Sequence, residues 1–200
     1  PARLSFAEAA AIPEAFATAF DALTLQAGLR AGQTVLIHAV GSGVGTAAVQ
    51  WAKAVGAKTV GTARTASKLE QVKALGLELG LLVDPERLRF AEEVTAEVVL
   101  DLVGGGYFAE TIAATASGGT IMLVGLTAGP TAEVPLRLVL AKRLRIIGTT
   151  LRARPLAEKI ALAEAFTAQV LPRFETGRLK PVVGATVPFA ELTNALGRLA

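Results

Sequence analysis

The sequence predicts an α/β fold, a doubly wound parallel sheet of about six strands flanked by helices. Two patterns carry that prediction. Short aliphatic and β-branched runs alternate along the chain with segments of helical periodicity, the rhythm of βαβ units. Glycines also follow the first, fourth and fifth of these runs, on the sheet edge where such folds take a ligand. The 52% hydrophobic content and mean hydropathy of +0.51 fit strands buried on both faces.

Residues Ser5–Gly28 read as helical: Ser5 with Glu8 forms a capping-box pattern, and Pro13 suits the first turn of a second helix. Ala15, Phe16, Ala19, Phe20 and Leu23 then make an apolar stripe that packs on a core. Thr34–Ile37 is the first strand. It breaks at Val40-Gly41-Ser42-Gly43-Val44-Gly45, and Val44, Ala47, Ala48, Trp51 and Val55 recur at helical spacing until Gly56 stops the helix. Lys58–Thr62 is the second strand and Ser67–Leu75 the second βα helix, ended by Gly76. Leu77–Val83 is a third strand, followed by a short helix within Pro85–Thr95. Glu97–Val103 is the fourth strand, Tyr107–Ala116 a helix and Thr120–Val124 the fifth strand. Leu136–Ala141 is a helical turn, Leu144–Thr150 the sixth strand and Pro155–Val170 a long amphipathic helix. Beyond Val170 three prolines and a short strand, Val182–Val187, change the style of the chain.

Composition removes several classes of function. The 200 residues contain no cysteine and one histidine, so disulfides and thiolate metal sites are excluded and no zinc cluster is expected. The net charge of +3 is spread along the chain and aromatics are only 5%, a poor match to a nucleic-acid surface. The uncharged stretches Ala31–Ala52 and Thr111–Ala132 carry glycines, polar residues and a change of period, which argues against membrane spans. There is no secretory or lipidation motif, so a cytoplasmic protein is expected. The start at Pro1 within a helix lead-in points to a piece of a longer product.

Strand, glycine turn and helix is the geometry that turns backbone N–H groups toward a phosphate. Missing side chains at Gly41, Gly43 and Gly45 allow a pyrophosphate close approach and let the helix pack on its strand. The fingerprint G-x-G-x-x-G is incomplete: its three places fall on Val40, Ser42 and Gly45. A site for NAD sets an acid near the end of the second strand, yet no Asp or Glu occurs between Asp21 and Glu70. The turn Thr62-Ala63-Arg64-Thr65-Ala66-Ser67-Lys68 offers cations and hydroxyls instead, the donors a 2′-phosphate requires. Arg64 and Lys68 also suit an ordinary solvent-facing helix start, but with the acid missing NADPH is the expected cofactor.

The segments HAVGSGVGTAAVQWAKAVGA, KTVGTARTASKL, DLVGG, GGTIMLVG and LRARP, in that order, resemble the cofactor-binding portion of the medium-chain dehydrogenase/reductase superfamily. The pattern is most similar to its zinc-independent NADPH:quinone oxidoreductases of the tumour-suppressor-inducible type, and covers nearly all of the chain. The resemblance implies a single Rossmann domain over residues 1–200, with 1–28 a helical lead-in and 171–200 the start of a return toward a barrel-like N-terminal catalytic domain that this chain lacks. It implies backbone pyrophosphate contacts at Ser42, Gly43 and Val44, and Arg64 and Lys68 at the 2′-phosphate. It places Val103 and Gly104 beside the adenosine ribose, and Gly125, Leu126, Leu151 and Thr18 near the nicotinamide. A tyrosine common in the family after the third strand is replaced here by Val83.

No catalytic side chain is implied, because hydride transfer is carried by the cofactor. His38 and Asp101 sit at strand ends and read better as structural residues, Asp101 ordering the adjacent glycine turn; Glu110, Glu158 and Glu164 read as solvated. The activity implied is reduction of a quinone or other conjugated carbonyl without metal; a non-catalytic NADPH-binding module and an enoyl reductase domain of a larger synthase are the alternatives. A homodimer through the edge strand 144–150 is expected, unless Lys142, Arg143 and Arg145 blunt that edge.

Overall fold

The computed structural model describes residues 1–197 and forms one six-stranded sheet in the order β3-β2-β1-β4-β5-β6. The strands are β1 Thr34–Ile37, β2 Lys58–Ala63, β3 Leu79–Leu82, β4 Ala96–Asp101, β5 Thr115–Leu123 and β6 Arg145–Gly148, and every pairing is parallel. The chain winds outward from β1 to β3, crosses back to β4 beside β1, and winds the other way. Its direction reverses between β1 and β4, which opens a crevice at their carboxyl ends.

Strands buried on both faces need apolar residues at consecutive positions, and β1 and β4 supply them. Val35 and Ile37 of β1, with Val98 and Leu100 of β4, join the core on one face; Leu36 and Val99 join the core on the other. On the first face lie α2 (Pro13–Phe20), α3 (Gly43–Val55) and α7 (Leu156–Gln169). Phe20 anchors them, its ring edge-on to Trp51 at 5.1 Å and to Phe166 at 6.0 Å. Phe16 packs at 4.8 Å on Phe174 of α8 (Leu171–Glu175), and Trp51 Nε1 donates to Thr24 Oγ1 at 2.7 Å. The lead-in is thus integral to the core. It begins with α1 (Phe6–Ala10), where Ser5 and Glu8 close the expected capping box, and Pro13 stands at the start of α2. The opposite face is covered by α5 (Phe108–Ala114), with Phe90, Phe108 and Ile112 buried.

Several elements depart from the sequence reading. The lead-in does not stay α-helical: Asp21–Gln26 is a π-helix. The helix expected within Pro85–Thr95 reduces to one 3-10 turn, Phe90–Glu92, because Phe90 is drawn into the core 4.9 Å from His38 and Glu110 accepts the Ala91 N–H at 2.9 Å. Glu110 is therefore a half-buried structural acceptor and not a solvated residue. The sixth strand ends at Gly148 because Thr149 turns its hydroxyl inward toward Gln26 and Arg154. Val182–Val187 pairs with no strand among the described residues; Pro181 and Pro188 bracket it, and the last three residues of the expected return, 198–200, lie outside the described residues. No helix among the described residues is long and apolar enough to cross a membrane.

His38 is fully buried just after β1, its Nδ1 3.0 Å from Thr62 Oγ1 and its Nε2 2.9 Å from Thr111 Oγ1. Burial lowers its pKa from 6.5 to about 4, partly opposed by the Asp101 charge. The unfolded chain therefore binds a proton that the folded chain refuses between those two values, so stability falls as pH falls from 6.5 toward 4, by roughly 3 kcal/mol at most. Urea unfolding near neutrality and at about pH 4.5 checks this. His38→Gln is expected to lose less stability on acidification than the parent; equal losses would remove His38 from the acid response.

Candidate functional site

The crevice at the carboxyl ends of β1 and β4 is built around the turn from β1 into α3. Ala39 takes a positive φ of 48°, and the chain doubles back so that the Ala39 and Val40 carbonyl oxygens lie only 2.6 Å from where a side chain on Gly45 would begin. Residue 45 must be glycine for helix and strand to approach this closely. The incomplete fingerprint also finds its explanation here. Val40, where the pattern asks for glycine, projects its side chain onto β2, and a Cβ on Gly61 would fall 2.6 Å from Val40 Cγ2. The space that a turn glycine would leave is supplied instead by a glycine in the neighbouring strand.

Ser42 caps α3 with its side chain, accepting the Gly45 N–H at 3.0 Å. Its own N–H donates to Ala39 O at 2.9 Å, so the pyrophosphate contact expected of the Ser42 backbone is not available. The N–H groups of Gly43 and Val44 have no partner among the described residues, and nothing lies within 4 Å of where a Gly43 side chain would project. These two free donors open the 13-residue helix α3 toward the crevice.

The crevice has two connected halves that share Ala39, Ser42 and Thr127. One, of about 510 Å³, lies at the ends of β2 and β3 and includes Arg64, Lys68 and Val103 in its lining. The stem of Lys68 lies across the turn, its carbons about 3.1 Å from where a Gly41 side chain would be. Neither Arg64 nor Lys68 pairs with a carboxylate among the described residues. Val83 and Tyr107 line the same half. Tyr107 follows a glycine triplet and carries no periodic signal in the sequence that would mark it as a crevice residue. Its ring packs edge-on to His38 at 5.6 Å, and burial raises the phenol pKa, leaving it a neutral donor.

The second half, of about 780 Å³, runs between the lead-in and the loop after β6, and brings together Thr18, Gly43, Val44, Gly125 and Leu151. Gly125 is required by packing, since a Cβ there would meet Leu102 O at 2.5 Å. Gly104 and Leu126 do not line either half. They pack on one another beside the crevice, a Gly104 Cβ falling 2.9 Å from Leu126 Cδ2. Asp101 orders that turn as its sequence position implies: Oδ1 accepts the N–H groups of Val103 and Gly104, each at 2.8 Å. No group of three His, Cys, Asp or Glu residues is placed to hold a metal ion among the described residues.

A doubly wound sheet with a glycine turn, a free helix N-terminus and a crevice at the strand reversal defines a dinucleotide-binding domain. A family model described as zinc-binding dehydrogenase matches residues 43–167. The chain belongs to that family and forms the cofactor-binding portion of a medium-chain dehydrogenase/reductase. It is 38% identical over 194 residues to the spectinabilin polyketide synthase system protein NorB of Streptomyces orinoci, covering 91% of this chain and 8% of that protein. It is 30% identical over 205 residues to the human quinone oxidoreductase, covering 98% of this chain and 59% of the relative. Among solved structures it matches the quinone oxidoreductase of Thermus thermophilus, a protein also solved with NADPH, at TM-score 0.85 and 36% identity, over 100% of this chain and 64% of that one. The CurK enoyl reductase matches at TM-score 0.85 and 27% identity, over 100% of this chain and 60% of that one. The chain thus spans less than two thirds of these relatives.

The fit of Val40 against Gly61 yields a direct test. Gly61→Ala is expected to destabilise the domain by about 1–3 kcal/mol through overpacking. Combined with Val40→Ala, it should cost less than the sum of the two single changes. Additive costs in a denaturation double-mutant cycle would show that the two positions do not share space.

Proposed function

We propose that this chain holds NADPH for an oxidoreductase that delivers hydride, without zinc, to a quinone or a related conjugated carbonyl. The observation that carries the reading is the pair of cations, Arg64 and Lys68, unpaired among the described residues, on a cleft wall where a carboxylate would be needed for NAD. The unfilled space beside Gly43 supports it, because a pyrophosphate can approach the backbone there. Gly43 and Val44 donate their N–H groups to the pyrophosphate, while Ser42 acts as the cap that orients them. Arg64 and Lys68 bind the 2′-phosphate, and Val103 flanks the adenosine ribose. Gly104 continues the turn after Val103 at the adenosine ribose, and Thr18, Gly125 and Leu151 surround the nicotinamide end, with Leu126 packed beside it. NADPH, when bound, supplies the hydride; the protein orients it and keeps water away. This chain has no cysteine and both His38 nitrogens are engaged by threonines, so the proposal assigns no zinc ligand to these 200 residues.

A second reading, an enoyl reductase domain of a larger synthase, is favoured by the 38% identity to NorB. The two differ only in the hydride acceptor, and turnover of a benzoquinone and an enoyl thioester by the full-length protein distinguishes them. A substrate wall completed by a further domain belongs to the same proposal.

For the cofactor, fluorescence titration is expected to give tighter binding of NADPH than of NADH. Lys68→Ala should cost NADPH about 1.5–3 kcal/mol, the value of a charge-assisted contact, and leave NADH nearly unchanged. Equal affinities for the two nucleotides would overturn the assignment.

We also propose a two-fold dimer through β6. This edge strand exposes Ile146, and the adjoining α6 (Leu136–Lys142) exposes Leu136 and Leu140. Lys142 does not blunt the edge, since its ammonium donates inward to the carbonyls of Ala113 and Thr115 at 2.6 and 2.8 Å. Light scattering should give a dimer for the chain and a monomer for Ile146→Lys; a parent monomer would refute the interface.

A further inference from the structure

Asp21 is a charged residue at 2% exposure, outside every role assigned above. Its Oδ1 accepts Arg154 Nη1 at 2.7 Å and its Oδ2 accepts Arg154 Nη2 at 2.6 Å, a bidentate pair. Gln26 Nε2 donates to the same Oδ2 at 2.5 Å and to Thr149 Oγ1 at 2.8 Å, and Arg154 Nη2 also reaches Thr149 Oγ1 at 2.5 Å. The carboxylate, the guanidinium, the amide and the hydroxyl therefore close on one another.

The network depends on an irregular backbone. On an α-helix, residues five apart point about 140° away from each other, so Gln26 would turn its back on Asp21. The π-helix Asp21–Gln26, with Ala27 N–H donating to Ala22 O, brings both side chains to one spot. A buried ion pair adds little stability over well-packed apolar residues of the same volume, yet it fixes distance and angle. Here it joins two walls of the crevice. Thr18 stands one turn before Asp21, and Leu151 lies between Thr149 and Arg154; Thr18, Asp21, Thr149 and Leu151 all line the crevice half assigned to the nicotinamide, with Arg154 and Gln26 behind them.

We propose that the Asp21–Arg154 pair, locked by Gln26 and Thr149, is a positioning clamp that sets the width of the nicotinamide-end half of the crevice and leaves the adenosine half alone. The inference rests on the NADPH reading. It assigns selective control of one end of the dinucleotide to residues that make no contact with the phosphates or the adenosine.

The test compares NADPH with 2′,5′-ADP, which carries the adenosine and the 2′-phosphate but no nicotinamide. In Asp21→Asn and Thr149→Val the affinity for NADPH is expected to fall at least about fivefold while that for 2′,5′-ADP stays within about twofold, the scale of one lost hydrogen bond. Arg154→Lys, which keeps the charge but loses the fork, should show a smaller change in the same direction. Thr149→Val removes a single hydroxyl and keeps the test open where Asp21→Asn fails to fold. Parallel loss of both ligands, or no change in their ratio, would overturn the clamp. Failure of the parent chain to bind either ligand would instead overturn the cofactor assignment.

Discussion

The turn between β1 and α3 works only because residue 45 has no side chain, and the rest of the crevice depends on that close approach. With the Ala39 and Val40 carbonyls 2.6 Å from the missing Cβ, α3 starts directly above the end of β1. Its first free N–H groups, those of Gly43 and Val44, then open at the strand reversal and not beside it. At the same turn Ala39 takes a positive φ, which a non-glycine residue adopts at a cost offset by the surrounding packing. Val40 is pinned inward against Gly61, so the first βα unit and its neighbouring strand are fitted to each other as one piece.

Polar residues in the interior do the aligning that apolar packing cannot. His38 is neutral and spans from Thr62 at the end of β2 to Thr111 on α5, tying two strands of the crevice floor to the helix beneath it. Asp101 commits Oδ1 to two successive N–H groups and so dictates where the chain turns after β4, while Oδ2 is buried without a partner among the described residues. Such a group costs stability. It persists at the carboxyl end of a central strand, where the path of the following turn forms the wall of the crevice. Hydrophobic burial gives the sheet its stability; these directional bonds give its upper edge its shape.

The lead-in and the loop after β6 belong to opposite ends of the sequence, yet they form a single wall. Aromatic packing of Phe16 and Phe20 on Phe174, Trp51 and Phe166 brings the helices together, and the Asp21–Arg154 pair sets how far apart their crevice-facing residues stand. Burial alone would leave that spacing soft, because apolar contact is not directional. Away from that wall, Leu136 and Leu140 are exposed on α6 and Ile146 is exposed on the edge strand β6.

The parallel sheet, the position of the glycine turn and the cationic character of the second βα turn are all legible in the sequence alone. Each is written locally, in runs of apolar residues, in glycines at strand ends and in the absence of any acid from residues 22 to 69. The role of Asp101 is legible for the same reason, since the N–H groups it accepts lie two and three residues away. The remaining features involve partners distant in sequence, and folding had to supply them. The complement of Val40 by Gly61 spans a strand pairing, and Tyr107 reaches the crevice only because Phe90 and His38 position its ring. The withdrawal of the Ser42 N–H depends on the positive φ of Ala39. The π-helix at Asp21–Gln26 has no local signature, because what stabilises it is an arginine 133 residues further along the chain. Periodicity reports which face a residue presents to a core, whereas directional bonds between distant segments exist only once the fold has brought them together.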